Sequence, residues 1–229
     1  MDKNEVKIEN NMTVKRRDAQ KQAYANRILR SAEEIFFEKG FQYSSTEEIA
    51  ARAGVTKRTL YNHFPSKMAL YTGIYQTYLN SLKRKMSQVA KLSLPTDQLI
   101  LKYFETFYKF SRKNKNFMHL FLLVLKSDKF EESVPYELRN KVGKQIDEMY
   151  RIIIEHIKLA SKDGKELNIE PQLLLHVVMA IHKGIFIHGE KDQRFNKYNI
   201  TPDKLFDLFK IVLKEGVIRS SSDISKVTK

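Results

Sequence analysis

The stretch AARAGVTKRTLYNHFPSKMAL, residues 50–70, carries Arg52, Lys57, Arg58 and Lys67 and no acidic residue. It also places Leu60, Tyr61 and Phe64 at the spacing of a helical face that packs on a core. The acid-free run extends from Ile49 through Thr96 and holds eight Lys or Arg. Gly54 interrupts the segment, Thr56 can cap the helix that follows, and Pro65 closes it. Just upstream, Ser45-Thr46-Glu47-Glu48 has the form of a capping box, in which Ser takes a backbone N–H and Glu reaches back. It opens a short helix that buries Ile49, Ala50 and Ala53. Two short helices joined by a Gly-containing turn form a helix-turn-helix unit, here over about residues 45–64.

In such a unit the second helix lies in the major groove of DNA, with its N-terminal residues at the base edges. Leu60 and Phe64, four residues apart, point inward and leave Lys57, Arg58, Tyr61 and Asn62 on or beside the outer face. The apolar residues hold the helix down, and the missing acids keep its outer face from repelling phosphate. A first helix precedes the unit, because Ala25, Ile28, Leu29, Ala32, Ile35 and Phe36 recur at three- and four-residue steps up to Gly40. Before it, residues 1–21 read as a flexible basic tail. Its Lys15-Arg16-Arg17 is either a solvated segment or a basic arm for the minor groove. Ser66 caps a long fourth helix running to about Gln88.

Residues 22–82 resemble the DNA-binding domain of the TetR family of transcriptional regulators. The resemblance rests on Gly40-Phe41, Thr46, Ile49-Ala50, Ala53-Gly54-Val55, Leu60-Tyr61, His63-Phe64 and Lys67. Met68 departs from it where the family often has an acid, and Arg58 where a small residue is common. The resemblance implies phosphate contacts at Thr46, Tyr61 and Lys67, and base-edge or phosphate contacts at Thr56, Lys57, Arg58 and Thr59. Asn62 joins the outer face, and His63 is expected near the DNA backbone. The competing readings are a solvated face for Lys57 and Arg58, half-buried packing for Tyr61, and a helix-terminal cation for His63.

Composition sets the surrounding frame. The 229 residues, 42% hydrophobic and 30% charged, are those of a globular chain. Their net charge of +14 points to a polyanionic partner. No cysteine is present, so disulfides and thiolate metal sites are excluded. Residues 1–20 contain no apolar signal core, and the apolar runs at 117–125 and 173–181 are too short to span a bilayer. A soluble, cytoplasmic protein without membrane partner is expected. No phosphate-cradling GxxxxGK[ST], GxSxG, HExxH or dinucleotide fingerprint occurs, nor any Glu-x-x-His pair of a di-iron bundle. No enzyme, metal or cofactor is therefore expected.

The remaining residues read as further helices, punctuated at Pro95, Asn114–Asn116, Pro135, Asp163-Gly164, Pro171 and Pro202. The expected fold is all-α, about nine helices. A 22–82 DNA-binding domain is joined through the fourth helix to an 83–220 ligand-binding and dimerisation domain, with a 221–229 tail. The family resemblance implies that the second domain dimerises and binds a small molecule. Residues 173–181 are apolar almost all round, and the last helix has two stripes, Leu205/Leu208/Val212 and Phe206/Phe209/Leu213. Leu174, Val178, Ile181, Ile185, Leu205, Leu208, Phe209 and Val212 are the expected homodimer contacts. Phe104, Phe107, Tyr108, Phe117, Phe121, Tyr150 and Met179 are the expected lining of an apolar effector site, although such aromatic stripes also make ordinary core. The function expected is a ligand-responsive repressor that binds a palindromic operator as a homodimer. A constitutive architectural DNA binder, or a helical enzyme or adaptor without DNA function, is the alternative.

Overall fold

A computed structural model of the chain describes residues 3–118, 120, 136–161, 169–191 and 197–217. Among these the fold is helical throughout, without strands, as expected. The helices are α1 (Lys3–Lys39), α2 (Thr46–Arg52), α3 (Lys57–His63), α4 (Lys67–Val89), α5 (Thr96–Lys113), α6 (Tyr136–Ser161), α7 (Pro171–Lys191) and α8 (Pro202–Val212). A π-helical turn, Leu213–Val217, extends α8. Two compact units result, Met1–Tyr78 with Leu120–Val142, and Leu79–His119 with Gly143–Lys229.

In the first unit, Ile28, Ala32, Ile35 and Phe36 of α1 are buried. Gly40 then ends the helix in the left-handed region (φ 85°), where a side chain would be strained. The capping box forms as the sequence requires. Ser45 Oγ accepts from Glu48 N at 3.1 Å, and Ser45 N donates to Glu48 Oε2 at 3.2 Å. Ile49, Ala50 and Ala53 are buried behind it, and Gly54 (φ 61°) makes the turn to α3. Thr56 caps α3, Leu60 is fully buried, and Ser66 Oγ accepts from Ala69 N at 3.0 Å to start α4.

The backbone does not change character at residue 21. The segment expected as a flexible tail is one helix with the rest of α1, because no Gly or Pro interrupts residues 1–39. Its lack of apolar periodicity has another consequence: residues 12–23 are exposed.

In the second unit α5 supplies the largest buried aromatic set. Phe104 packs between Phe206 and Phe209 of α8, with ring centroids 5.0 and 4.8 Å apart. The two stripes of α8 separate accordingly. Phe206 and Leu213 are buried, whereas Leu208, Ile211 and Val212 are 58, 60 and 55% exposed. Leu205 and Phe209 are half-buried. On α7 the expectation needs correcting. Leu174, Val178 and Ile185, expected to face a partner, are buried in their own unit, and Ile181 is half-buried. A helix that is apolar all round carries no sequence mark of which face its own chain will cover. The uncovered apolar stripe runs instead through Leu173 and Val177, 43 and 42% exposed, and continues to Ala180.

Candidate nucleic-acid interface

Lys57, Arg58, Tyr61 and Asn62 are exposed along α3, on the side away from Leu60. Thr56 and Thr59 bracket the first turn. Thr56 Oγ1 accepts from Thr59 N at 3.1 Å and lies 2.9 Å from Thr59 Oγ1. Thr46, buried at the start of α2, holds Tyr61 through a 3.1 Å bond between the two hydroxyls. Tyr61 is therefore held at its hydroxyl end while 40% of the residue stays exposed.

Two placements were not legible from the sequence. Lys57 is ion-paired with Glu47, and its ammonium lies 5.8 Å from the centre of the Tyr61 ring. The hydrogen bond from Lys57 holds the Glu47 carboxyl below the usual carboxylate range, and Glu47 in turn raises the Lys57 ammonium. Glu47 reads in the sequence as a first-turn acid favoured by the helix dipole. Only the fold brings it against a residue ten positions away. Arg58 makes no ion pair among the described residues, so its guanidinium is unengaged.

Lys67 is the second. Its Nζ donates to the carbonyl oxygens of Phe41 at 2.7 Å and Ser44 at 3.0 Å, reaches towards Gln42 at 3.5 Å, and lies 4.6 Å from the centre of the Phe41 ring. An ammonium has three donors. Here they are turned into the loop between α1 and α2, so in the free protein Lys67 clamps that loop. His63 is half-buried, with its ring 6.5 Å from that of Tyr24 on α1.

The second unit contains a cavity of about 40 Å³. Phe104, Phe107, Tyr150 and Met179, all expected at a ligand site, line it together with Met86 and Met149. Tyr108 does not. It stacks on Phe206 at 3.7 Å and donates to Asp203 Oδ1 at 2.7 Å. Phe117 packs instead against Phe110 and Phe107. Phe121 and the 221–229 tail lie outside the described residues. The cavity has room for about one or two waters by volume but offers them almost no polar partner. His182 is buried behind Phe104 and Phe107, with Nε2 3.1 Å from Ser111 Oγ and, among the described residues, no partner for Nδ1. Burial pushes its pKa down to about 3, so it is neutral. Among the described residues no cluster could hold a metal ion, and no helix is long and apolar enough to cross a membrane.

With this geometry in place, comparison with known proteins is informative. Residues 28–74 match the family described as bacterial regulatory proteins, tetR family. The chain is 34% identical over 83 residues to the HTH-type transcriptional activator FasR of Mycolicibacterium smegmatis, covering 36% of this chain and 38% of FasR. It is 31% identical over 78 residues to the HTH-type transcriptional repressor DhaR of Mycobacterium sp. strain GP1, covering 34% of this chain and 39% of DhaR. These matches span less than half of either relative. The fold is similar over a longer stretch to the regulator FadR of Bacillus subtilis, solved in complex with stearoyl-CoA. That likeness has a TM-score of 0.63 at 16% identity, over 83% of this chain and 98% of FadR. The helix-turn-helix domain at residues 28–74 is thus one of the TetR family of transcriptional regulators.

Proposed function

We propose that the protein is a ligand-responsive transcriptional regulator, acting as a repressor, that binds a palindromic operator as a homodimer. The observation that carries the reading is the outer face of α3. Lys57, Arg58, Tyr61 and Asn62 project from a helix pinned by Leu60, in a segment without acids, so the face can approach phosphate and reach base edges. Thr46, Thr56, Thr59 and His63 surround this face and complete the proposed contact set. The exposed Leu208, Ile211 and Val212 of α8 and Leu173 and Val177 of α7 support a second copy as partner, since such apolar surface is stabilised by burial. A dimer would set two recognition helices about 34–36 Å apart on successive turns of a palindrome.

The effector of this reading is a small apolar or amphipathic molecule that opens the cavity of the second unit and releases DNA. Its nearly all-apolar lining supports that class, and FadR, similar in fold, is a regulator solved with stearoyl-CoA. The cavity's small volume favours a second reading, a constitutive DNA binder with a filled core. Selecting duplexes from a random-sequence pool tests the first part, with recovery of an inverted repeat as the expected result. Titrating fatty acids and other apolar compounds into the complex then separates the two readings. Release of DNA is expected for the responsive regulator. Compounds that bind without changing DNA affinity leave the constitutive reading, because a ligand shifts an equilibrium only by its differential affinity for the two states.

A further inference from the structure

We propose that the N-terminal overhang of α1 is a second DNA-binding element, a basic helix whose Arg17 and Lys21 clamp backbone phosphates beside the groove that α3 enters. It rests on the reading that α3 docks on duplex DNA. Along α1, Ile28, Ala32 and Ile35 define the face packed on the first unit. Stepping back from Ile28 by four, seven and eleven residues reaches Tyr24, Lys21 and Arg17. Those steps stay on one side of a helix. The stripe that is apolar where the protein covers it becomes basic where the protein ends.

The overhang leaves the unit at the helix-turn-helix. Tyr24 lies beside His63 at the end of α3, and Arg27 stacks over the Tyr24 ring at 5.1 Å. Arg27 Nη2 also donates to Gly54 O at 3.3 Å, in the turn before α3. From there Arg17 is about 10 Å farther along the axis, within reach of a phosphate wall flanking a groove about 12 Å wide. Arg17 and Lys21 are about 6 Å apart along the axis, close to two phosphate steps of about 3.4 Å on one strand.

Charge and exposure select the partner. Residues 10–32 hold six Lys or Arg and one acid, Asp18, which lies about a quarter turn off the stripe. Residues 12–23 are exposed, and Lys15, Arg16, Arg17 and Lys21 form no ion pair among the described residues. A membrane-seeking helix needs a broad apolar face, but the only large apolar side chains from residue 12 to 23 are Met12 and Val14. The overhang also needs no nucleus of its own. A helix this short is marginal alone, and the packed residues 28–39 nucleate it.

The test is a binding titration of the full chain on a long mixed-sequence duplex across a range of salt concentrations. Arg17→Ala/Lys21→Ala removes the charges, and Ala19→Pro keeps every charge but breaks the helix. Each is expected to make the slope of log affinity against log salt shallower by about 1.8 per protomer, two phosphates at about 0.9 each. The melting temperature should not move, and Lys15→Ala, on the opposite face, should keep the wild-type slope. A wild-type slope in the double variant overturns the proposal. So does a wild-type slope in Ala19→Pro, which would make the segment a flexible charged tail. Loss of binding to anionic phospholipid vesicles with unchanged DNA binding overturns it in favour of a membrane. If the wild type binds no duplex at any salt, the parent reading fails; if it binds and only the arm variants are silent, the arm alone fails.

Discussion

His182 sits on α7 with no exposed surface, among Phe104, Phe107, Tyr108 and Phe186, with Ser111 as its one hydrogen-bond partner among the described residues. None of these neighbours carries a charge, so nothing offsets the penalty of protonating the ring there. Burial lowers its pKa from 6.5 to about 3. The unfolded chain therefore takes up a proton near pH 6.5, and the folded chain does not until about pH 3. Stability is lost as pH falls through that window, at up to about 1.4 kcal/mol per pH unit. Between pH 7 and pH 5 the loss from this one group is about 2 kcal/mol, a sizeable part of a typical domain's 5–15 kcal/mol. Urea denaturation of wild type and His182→Gln at pH 7, 6 and 5 isolates it, since other titrating groups cancel in the difference. The variant starts less stable, and its stability should fall less steeply with acid. Parallel curves for the two proteins would refute the reasoning, because they would mean that the folded ring accepts a proton as readily as the unfolded one.

Lys67→Met keeps the aliphatic stem but removes the donors to Phe41 O and Ser44 O; it should lower stability by about 1.5–3 kcal/mol, read by chemical denaturation. Lys57→Ala and Arg58→Ala should leave stability within about 0.5 kcal/mol and weaken a selected operator more than scrambled DNA, by about 1–3 kcal/mol where a base contact is lost. Glu47→Gln frees Lys57 and removes a negative charge beside the DNA face, so affinity for mixed-sequence duplex should rise in a titration at low salt. Leu208→Arg lies on an exposed stripe and should not unfold a single chain; on the proposed reading, sedimentation should show a dimeric wild type and a monomeric variant.

The first unit was largely legible because its signals are local. A capping box, two glycines at positive φ, and Leu60 four residues before Phe64 each act within a turn or two. Lys67 was not, since a lysine at a helix start looks the same whether its donors face solvent or a loop 23 to 26 residues upstream. Glu47 was missed for a related reason, as its partner is set by the angle between α2 and α3. The α1 overhang reads as a tail in the sequence because a helix with no buried face has no periodicity to find. On α7 the sequence showed that apolar residues go nearly all the way round, which left the choice of inner face to packing against other helices. Tyr108 and Phe117 pack on Phe206 and Phe110 and do not border this cavity, and aromatic crowding in a sequence does not say which rings meet each other and which border a void.

The smallness of the cavity makes it a filter on what can enter. A roomy pocket binds in proportion to fit, and many weak ligands would occupy it. On the proposed reading an effector larger than this volume would have to displace lining side chains, so part of its binding free energy would go into moving residues such as Phe104, Phe107 and Met179. Molecules too small to recover that loss pass unnoticed, whatever their concentration in the ordinary range. Larger apolar ones would, on that reading, hold the core apart. So little free volume would thus impose a size threshold on an effector, and methionine, which reshapes at little strain, is suited to stand at the cavity's edge.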